Sequence, residues 1–266
     1  MRYISEKKES AIILKKLQPH KERCLYLYCN LYKYGISNPH FKVYYDNQSE
    51  IVVGQYYGDS IHIMAQNYIT EGASDFVLGA RPRTIFSSIK LPWLEGYDEE
   101  TTGVYKLVDA LSDERAIDNL RVLDKSEMEK LTDFLYLHSA EYRKSYDKTN
   151  LYCQLTERLE SGYCRYFGLY YEDFLIGCAF TKAEIEDTMI VGGILVSPEF
   201  RGRGYGKMLC MYKAAIATSE NKDAFCFIDD GNPASIELHS ACGYKRVTTV
   251  FKYTAQIQGS QLPEFH

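Results

Sequence analysis

The 266-residue sequence is short of several things. It has one tryptophan, Trp93, and seven prolines. None of its eight cysteines (Cys24, Cys29, Cys153, Cys164, Cys178, Cys210, Cys226 and Cys242) forms a Cys-x-x-Cys pair, and no Cys/His group has zinc spacing. That excludes a zinc ribbon and a dithiol redox motif, and no metal is expected. Most of the cysteines sit in apolar runs, as buried free thiols do, which predicts a reducing compartment. No run of Lys and Arg is long enough for a nucleic-acid footprint, and the net charge is −5. The Lys-rich start (Lys7, Lys8, Lys15, Lys16) is offset by Glu6 and Glu9 and reads as a solvated helix face. No apolar window approaches the ~20 residues that span a bilayer, and the first residues lack the apolar core of a signal peptide. A cytoplasmic location with no membrane partner is therefore expected.

What remains is ordinary globular composition, 45% hydrophobic and 25% charged. The 24 tyrosines suit half-buried strand positions. The first half predicts helices at 9–17 and 22–34 and a meander of strands at 41–45, 51–57 and 60–65, with Asp46-Asn47 and Gly58-Asp59 as turns. A weaker helix at 68–79 and a short strand at 84–87 follow. The segment 91–102, with Pro92, Gly96 and four acidic residues, reads as a linker, and 104–108 as a further short strand.

The second half predicts a strand at 120–123, a helix from an Asp124 or Ser126 cap to His138, and a helix at 150–160. Strands at 164–171, 174–182 and 188–196 come next. A helix at 205–219 carries Met208, Leu209, Tyr212, Ala215 and Ile216 on one face. A strand at 224–229, a helix at 232–242 and a strand at 245–253 complete the series. The alternation predicts an α/β (α+β) fold: a mixed, twisted sheet with helices on both faces, preceded by a smaller α+β domain with an antiparallel meander. The expected domains are 1–112 and 113–254, with a polar tail at 255–266. The first half echoes the helices-then-meander order of the second, so a degenerate duplication is open.

The most informative stretch runs from Ile194 to Gly206. A buried strand ends, and a loop Arg201-Gly202-Arg203-Gly204 leads directly into a helix N-terminus. The first N–H groups of a helix lack intrahelical partners and, with the helix dipole, favour an anion. Glycines allow close backbone approach, and two arginines add charge. The physics indicates a phosphate site. A Walker loop needs Gly-Lys-Ser/Thr, but Met208 follows Gly206-Lys207. The Gly202, Gly204, Gly206 spacing does not fit a dinucleotide fingerprint.

Arg201-x-x-Gly204-x-Gly206 resembles the R/Q-x-x-G-x-G/A motif of the GNAT acyl-CoA N-acyltransferase superfamily. The run Asn232-Pro233-Ala234-Ser235-Ile236-Glu237-Leu238-His239 through Gly243-Tyr244 resembles its second signature. The resemblance covers roughly residues 117–253. It implies acetyl-CoA as co-substrate, with pantetheine in a gap between the strands at 188–196 and 224–229, paired to backbone groups of Ile194 and Val196. It implies that Gly202, Arg203, Gly204, Tyr205 and Gly206 hold the pyrophosphate. Ile194, Leu195, Val196, Arg201, Lys207 and Asn232 complete the expected cofactor set. Asn232 is also explained as a helix N-cap, with Pro233 at the first helical position and Gly243 past the end.

Acyl transfer to an amine moves two protons, one off the attacking ammonium and one onto the leaving thiolate. The family often supplies a Tyr seven residues after the motif Asn; this sequence has His239 there, which makes His239 the expected general acid. No base is identifiable: Glu184, Glu186, Asp187, Asp229 and Asp230 lie near the expected cleft, each better explained as a solvated turn residue, and a water-relayed base is common in this chemistry. Cys178 and Cys226 have no sequence-evident His partner and read as buried thiols rather than nucleophiles. The first half has no Arg-x-x-Gly-x-Gly loop and is expected to cover substrate, to form a homodimer, or to be a degenerate copy. The resulting expectation is an N-acetyltransferase acting on a primary amine of a small molecule or peptide by direct attack in a ternary complex. The alternative is a CoA-binding regulatory or interaction protein with little catalysis.

Overall fold

Two helical stretches followed by three strand-period stretches occur in each half of the sequence, and both halves fold into the same pattern of pairings. The computed structural model describes residues 1–56, 59–110 and 119–256. The chain divides into two units, one made of Met1–Gly103 with the segment from Thr248 on, the other of Val104–Val247. The expected boundary at 112/113, the turn residue Gly58 and most of the expected tail lie outside the described residues.

The first unit runs β1 (Arg2–Tyr3), α1 (Lys7–Leu17), α2 (Leu25–Tyr34), β2 (Phe41–Asp46), β3 (Ile51–Tyr56), β4 (Ser60–Met64), α3 (Glu71–Ala80) and β5 (Thr84–Ser87). Strands β1 to β4 pair antiparallel in sequence, and β5 pairs parallel to β4. Alternate residues of β3 and β4, Ile51, Val53, Ile61 and Ile63, share one core with Val77 of α3 and Ile85 of β5, as period-two patterning requires. β6 (Tyr97–Leu107) follows.

This strand corrects the linker reading of 91–102. Asp98, Glu99 and Glu100 are exposed strand residues. Lys252 Nζ meets Glu100 at 2.7 Å and Gln256 Nε2 donates to Asp98 at 2.7 Å. The acidic run was misleading because it decorates an exposed face.

The second unit runs β7 (Leu120–Val122), α4 (Met128–His138), α5 (Ala140–Ser145), α6 (Lys148–Glu160), β8 (Tyr166–Tyr171), β9 (Phe174–Glu184), β10 (Thr188–Val196), α7 (Tyr205–Ser219), β11 (Asp223–Asp229) and α8 (Pro233–Ser240). β12 (Tyr244–Ala255) closes the series. β7 to β10 pair antiparallel in sequence and β11 pairs parallel to β10, the same succession as β1 to β5. β6 and β12 each contribute one part to either unit. Helix α5 was not expected; Ser139 caps it through the Tyr142 N–H. Asp124 caps the turn before α4 in a reciprocal capping box with Glu127. The mixed sheet with covering helices is the expected fold class.

Two apolar clusters hold the second unit. One joins Met189 and Val191 of β10, Ala224, Cys226 and Ile228 of β11, and Cys210, Met211, Ala214 and Ala217 of α7. The other joins Phe167, Leu169, Ile176 and Ala179 to Leu209. Helix α7 is therefore clamped along its length, which fixes where its N-terminus points.

Candidate active site

β10 and β11 begin as a parallel pair and do not stay one. The register runs from Thr188 with Asp223 to Val191 with Cys226, four pairs in all. β10 continues to Val196 and β11 to Asp229 without further pairing between them, so the strands fork beyond Val191. The cause lies in β10 itself. Its register with β9 slips by one residue between Gly192 and Leu195, a β-bulge. Gly193 sits in the bulge at φ +60°, and a Cβ there would lie 2.0 Å from the Phe180 ring. Only glycine fits both the left-handed backbone and the ring pressed against it. The first unit shows the contrast. β4 and β5 pair over four residues, and Ser88 then bridges on to Ala65, accepting from its N–H at 2.9 Å and donating to its carbonyl at 2.7 Å.

At the open end of the fork the chain passes through Ser197 and a short 3-10 turn, Pro198–Phe200, into the glycine loop. Gly202 and Gly204 have φ of +75° and +83°, with nothing within 4 Å of a Cβ built on either. Glycine is needed there for backbone shape, and the space beside it is open. The first helical hydrogen bond of α7 runs from Met208 N–H to the Gly204 carbonyl. The N–H groups of Tyr205, Gly206 and Lys207 ahead of it point out of the helix end unpaired within it. Arg201 Nε donates to the Val196 carbonyl at 3.0 Å, and Arg203 donates to the Glu199 carbonyl at 3.1 Å with its guanidinium 5.1 Å from the Phe200 ring. Both arginines brace the loop while the loop itself stays exposed. These features, positive φ, open space, free N–H groups and two cations, fit a pyrophosphate.

The remaining expected cofactor residues fall around the fork. Ile194 Cγ2 and Leu238 of α8 stand 4.0 and 3.9 Å from the position of a Cβ on Gly206. Leu195 pairs with Cys178 and Val196 with Gly177 on the β9 side. The Val196 carbonyl, expected to be free for pairing, is instead taken by Arg201. Asn232 is an N-cap, its Oδ1 accepting the Ser235 N–H at 3.0 Å. That cap aims α8 so that Leu238 reaches the fork.

His239 is buried. Its Nδ1 lies 2.9 Å from the Ser235 carbonyl, which can only accept, so Nδ1 carries the proton. Nε2 is buried without a partner among the described residues. Burial, opposed by the Ser235 bond and reinforced by the charge of Lys213, lowers its pKa to about 4. The ring is then neutral near pH 7, with an acceptor and not a donor at Nε2. A general acid at this position would need the opposite tautomer or the imidazolium.

The carboxylates near the expected cleft are mostly occupied. Glu184 is buried, accepting from Arg165 Nε at 2.8 Å and Thr181 Oγ1 at 2.7 Å, with Lys222 at 3.2 Å. Asp229 Oδ1 accepts the Gly231 N–H, Asp230 pairs with Arg246, and Asp187 accepts from Thr188. Glu186 lies in the β9–β10 turn. Burial raises the Cys178 and Cys226 thiols to about 12, which removes them as nucleophiles. Of the eight free thiols only Cys153 is exposed.

One group at the fork escaped sequence reasoning. Lys213 of α7 is wholly buried, and its Nζ donates to the carbonyl of Gly192 at 2.8 Å. Gly192 is the first β10 residue beyond the last parallel pair. In sequence Lys213 follows the apolar face of α7 as an ordinary helix lysine, and nothing local distinguishes it.

Among the described residues no group of three or more His, Cys, Asp or Glu side chains is placed to hold a metal, and no helix is long and apolar enough to cross a membrane. No curated protein matches the sequence. Solved structures match the fold. A Drosophila protein aligns over 96% of this chain and 98% of its own at 13% identity, with a TM-score of 0.65. A GNAT-family acetyltransferase from Colwellia psychrerythraea covers the same shares at 11% identity and TM-score 0.59. A tandem GNAT protein from the clavulanic acid biosynthesis pathway covers 83% of this chain and 80% of its own at 12% identity and TM-score 0.51. The family model for the acetyltransferase (GNAT) family matches residues 131–244. Strand fork, bulge and glycine loop fall in one stretch of chain, and it is this stretch, within residues 131–244, that matches the acetyltransferase (GNAT) family.

Proposed function

We propose that the second unit binds acetyl-CoA and transfers its acetyl group to a primary amine of a small molecule or peptide, by direct attack in a ternary complex. The observation that carries this reading is the fork between β10 and β11 opening beside a glycine loop with free N–H groups. The family match of residues 131–244 supports acyl transfer in general. In this reading the amides of Gly202 to Lys207 hold the pyrophosphate, Arg201 and Arg203 add charge, and the backbone of β10 at Ile194 lies along pantetheine. Asn232 aims α8 at the fork. Direct attack is favoured over an acyl-enzyme because Cys178 and Cys226 stay protonated thiols near pH 7. His239 enters as a hydrogen-bond acceptor through Nε2.

The first unit is read as a degenerate copy of the same fold. Its strands pair in the same succession, but β4 and β5 stay joined, and α3 is entered through Thr70 with Glu71 in its first turn, whereas α7 is entered through Gly202 and Gly204.

Calorimetry with CoA, followed by thiol release from acetyl-CoA with a panel of amines, tests the proposal. Micromolar binding and amine-dependent thiol release are expected. Absence of CoA binding overturns the reading, and binding without turnover by any amine returns it to a regulatory CoA-binding role.

A further inference from the structure

A buried ammonium is costly unless an anion or several acceptors compensate it. Lys213 is fully buried, donates to one carbonyl, and makes no ion pair among the described residues. The ionisable groups acting on it are the thiols of Cys210 on its own helix, Cys226 on β11 and Cys178 on β9, together with the cation of Lys182 on β9. From α8, the neutral His239 feels the Lys213 charge. No carboxylate is among these groups. The positive charge stands at the root of the fork, beside the first residue of β10 that β11 no longer pairs.

We propose that Lys213 is the proton donor and electrostatic partner of the thiolate that leaves the acyl-CoA thioester. This rests on the reading of the fork as the acyl-CoA site. The amine nitrogen, having lost one proton from its ammonium form, bonds to the acyl carbon, and the carbonyl is re-formed as the C–S bond breaks. The bond's electron pair goes to sulfur. The Lys213 ammonium gives a proton to that sulfur, and the nitrogen of the new amide gives up its second proton, which returns to Lys213 directly or through water. The net change is amide and CoA thiol from amine and thioester. Burial lowers the Lys213 pKa to about 8, which leaves the group charged near pH 7 yet a far better donor than an ordinary lysine. His239 carries its proton on Nδ1, bonded to the Ser235 carbonyl, and has no donor at Nε2, so it does not take this role.

The test uses CoA itself as probe. Calorimetry first establishes binding to the wild-type protein. The thiol of bound CoA is then titrated by its thiolate absorbance, as a difference from the desulfo-CoA complex. In the wild type its pKa is expected to fall by about one unit or more below that of free CoA. Lys213→Met should abolish the drop with pyrophosphate-dependent binding retained, and Lys213→Arg should restore part of it. Equal thiol pKa values in wild type and Lys213→Met overturn the assignment while leaving the CoA site intact. Failure of the wild type to bind CoA overturns the site and the inference together. Should Lys213→Met not fold, the wild type decides: the affinity ratio of CoA to desulfo-CoA must rise with pH between about 7 and 9, because the site prefers thiolate. A flat ratio overturns the proposal.

Discussion

Gly193 shows how one residue sets the site. Its φ of +60° disfavours any side chain, and the Phe180 ring fills the space a Cβ would need. Gly193→Ala should cost about 1 kcal/mol or more for the backbone and about 1–3 kcal/mol for overpacking. Relaxation by straightening the bulge would close the fork. The expected outcome is a lower urea midpoint together with weaker CoA binding, and an alanine variant with wild-type affinity would sink the link between bulge and fork. The sequence carries the Gly192-Gly193 pair in plain view, yet which glycine faces a ring depends on the register of β9, set by residues far away in the chain. Lys213 was hidden for the same reason. Helix periodicity locates a buried face but does not reveal that a lysine on it meets the one carbonyl of β10 at the root of the fork.

At the scale of elements, the strand-loop-helix unit from β10 to α7 was legible because its signals are local. A glycine loop and a helix N-terminus are specified by adjacent residues, and both expected ends of α7, Tyr205 and Ser219, match the structure. The Asn232 cap was legible too, since Ser235 lies within reach along the chain. Asn232→Ala should cost about 1 kcal/mol of stability through the lost cap. Leu238 reaches the fork only while α8 keeps its direction, so CoA affinity should fall as well. Asn232→Asp should keep the cap and restore stability. If stability falls and affinity does not, Asn232 is a cap alone. Elements built from distant pairing were harder to read. β6 looked like a linker because its acids meet partners, Lys252 and Gln256, more than a hundred residues later, and α5 is too short to show a period.

At the scale of the molecule, two units with one succession of strand pairings account for the echo between the halves of the sequence. The described residues of the first unit lack two features that the second has, a forked parallel pair and a glycine loop. Each unit nevertheless packs a neutral histidine, half-buried His62 in the first and buried His239 in the second, and this ties stability to pH. His62, stacked on Phe86 at 4.8 Å between ring centres, is brought by burial to about 3, and His239 to about 4. Both folded values lie below the unfolded value near 6.5. Above pH 6.5 both rings are neutral in either state and their contribution is complete. As pH falls below 6.5 the unfolded chain takes up protons first, so stability declines until the folded values near 4 and 3 are passed. The loss by that point is about 5 kcal/mol for His62 and about 3 kcal/mol for His239. His62→Phe keeps the stack and His239→Asn keeps a donor for the Ser235 carbonyl; neither replacement titrates in this range. Unfolding free energies from urea titrations at pH 7 and pH 4.5 should differ less in the double variant than in the wild type, with the two single variants contributing additively because the rings lie in different units. Acidic groups held below their usual range, such as Asp46 through Ser49 and Glu220 through Arg165, leave a residual slope. An unchanged slope in the double variant would mean that the acid sensitivity lies with those carboxylates and that the two rings are already solvated in the folded protein.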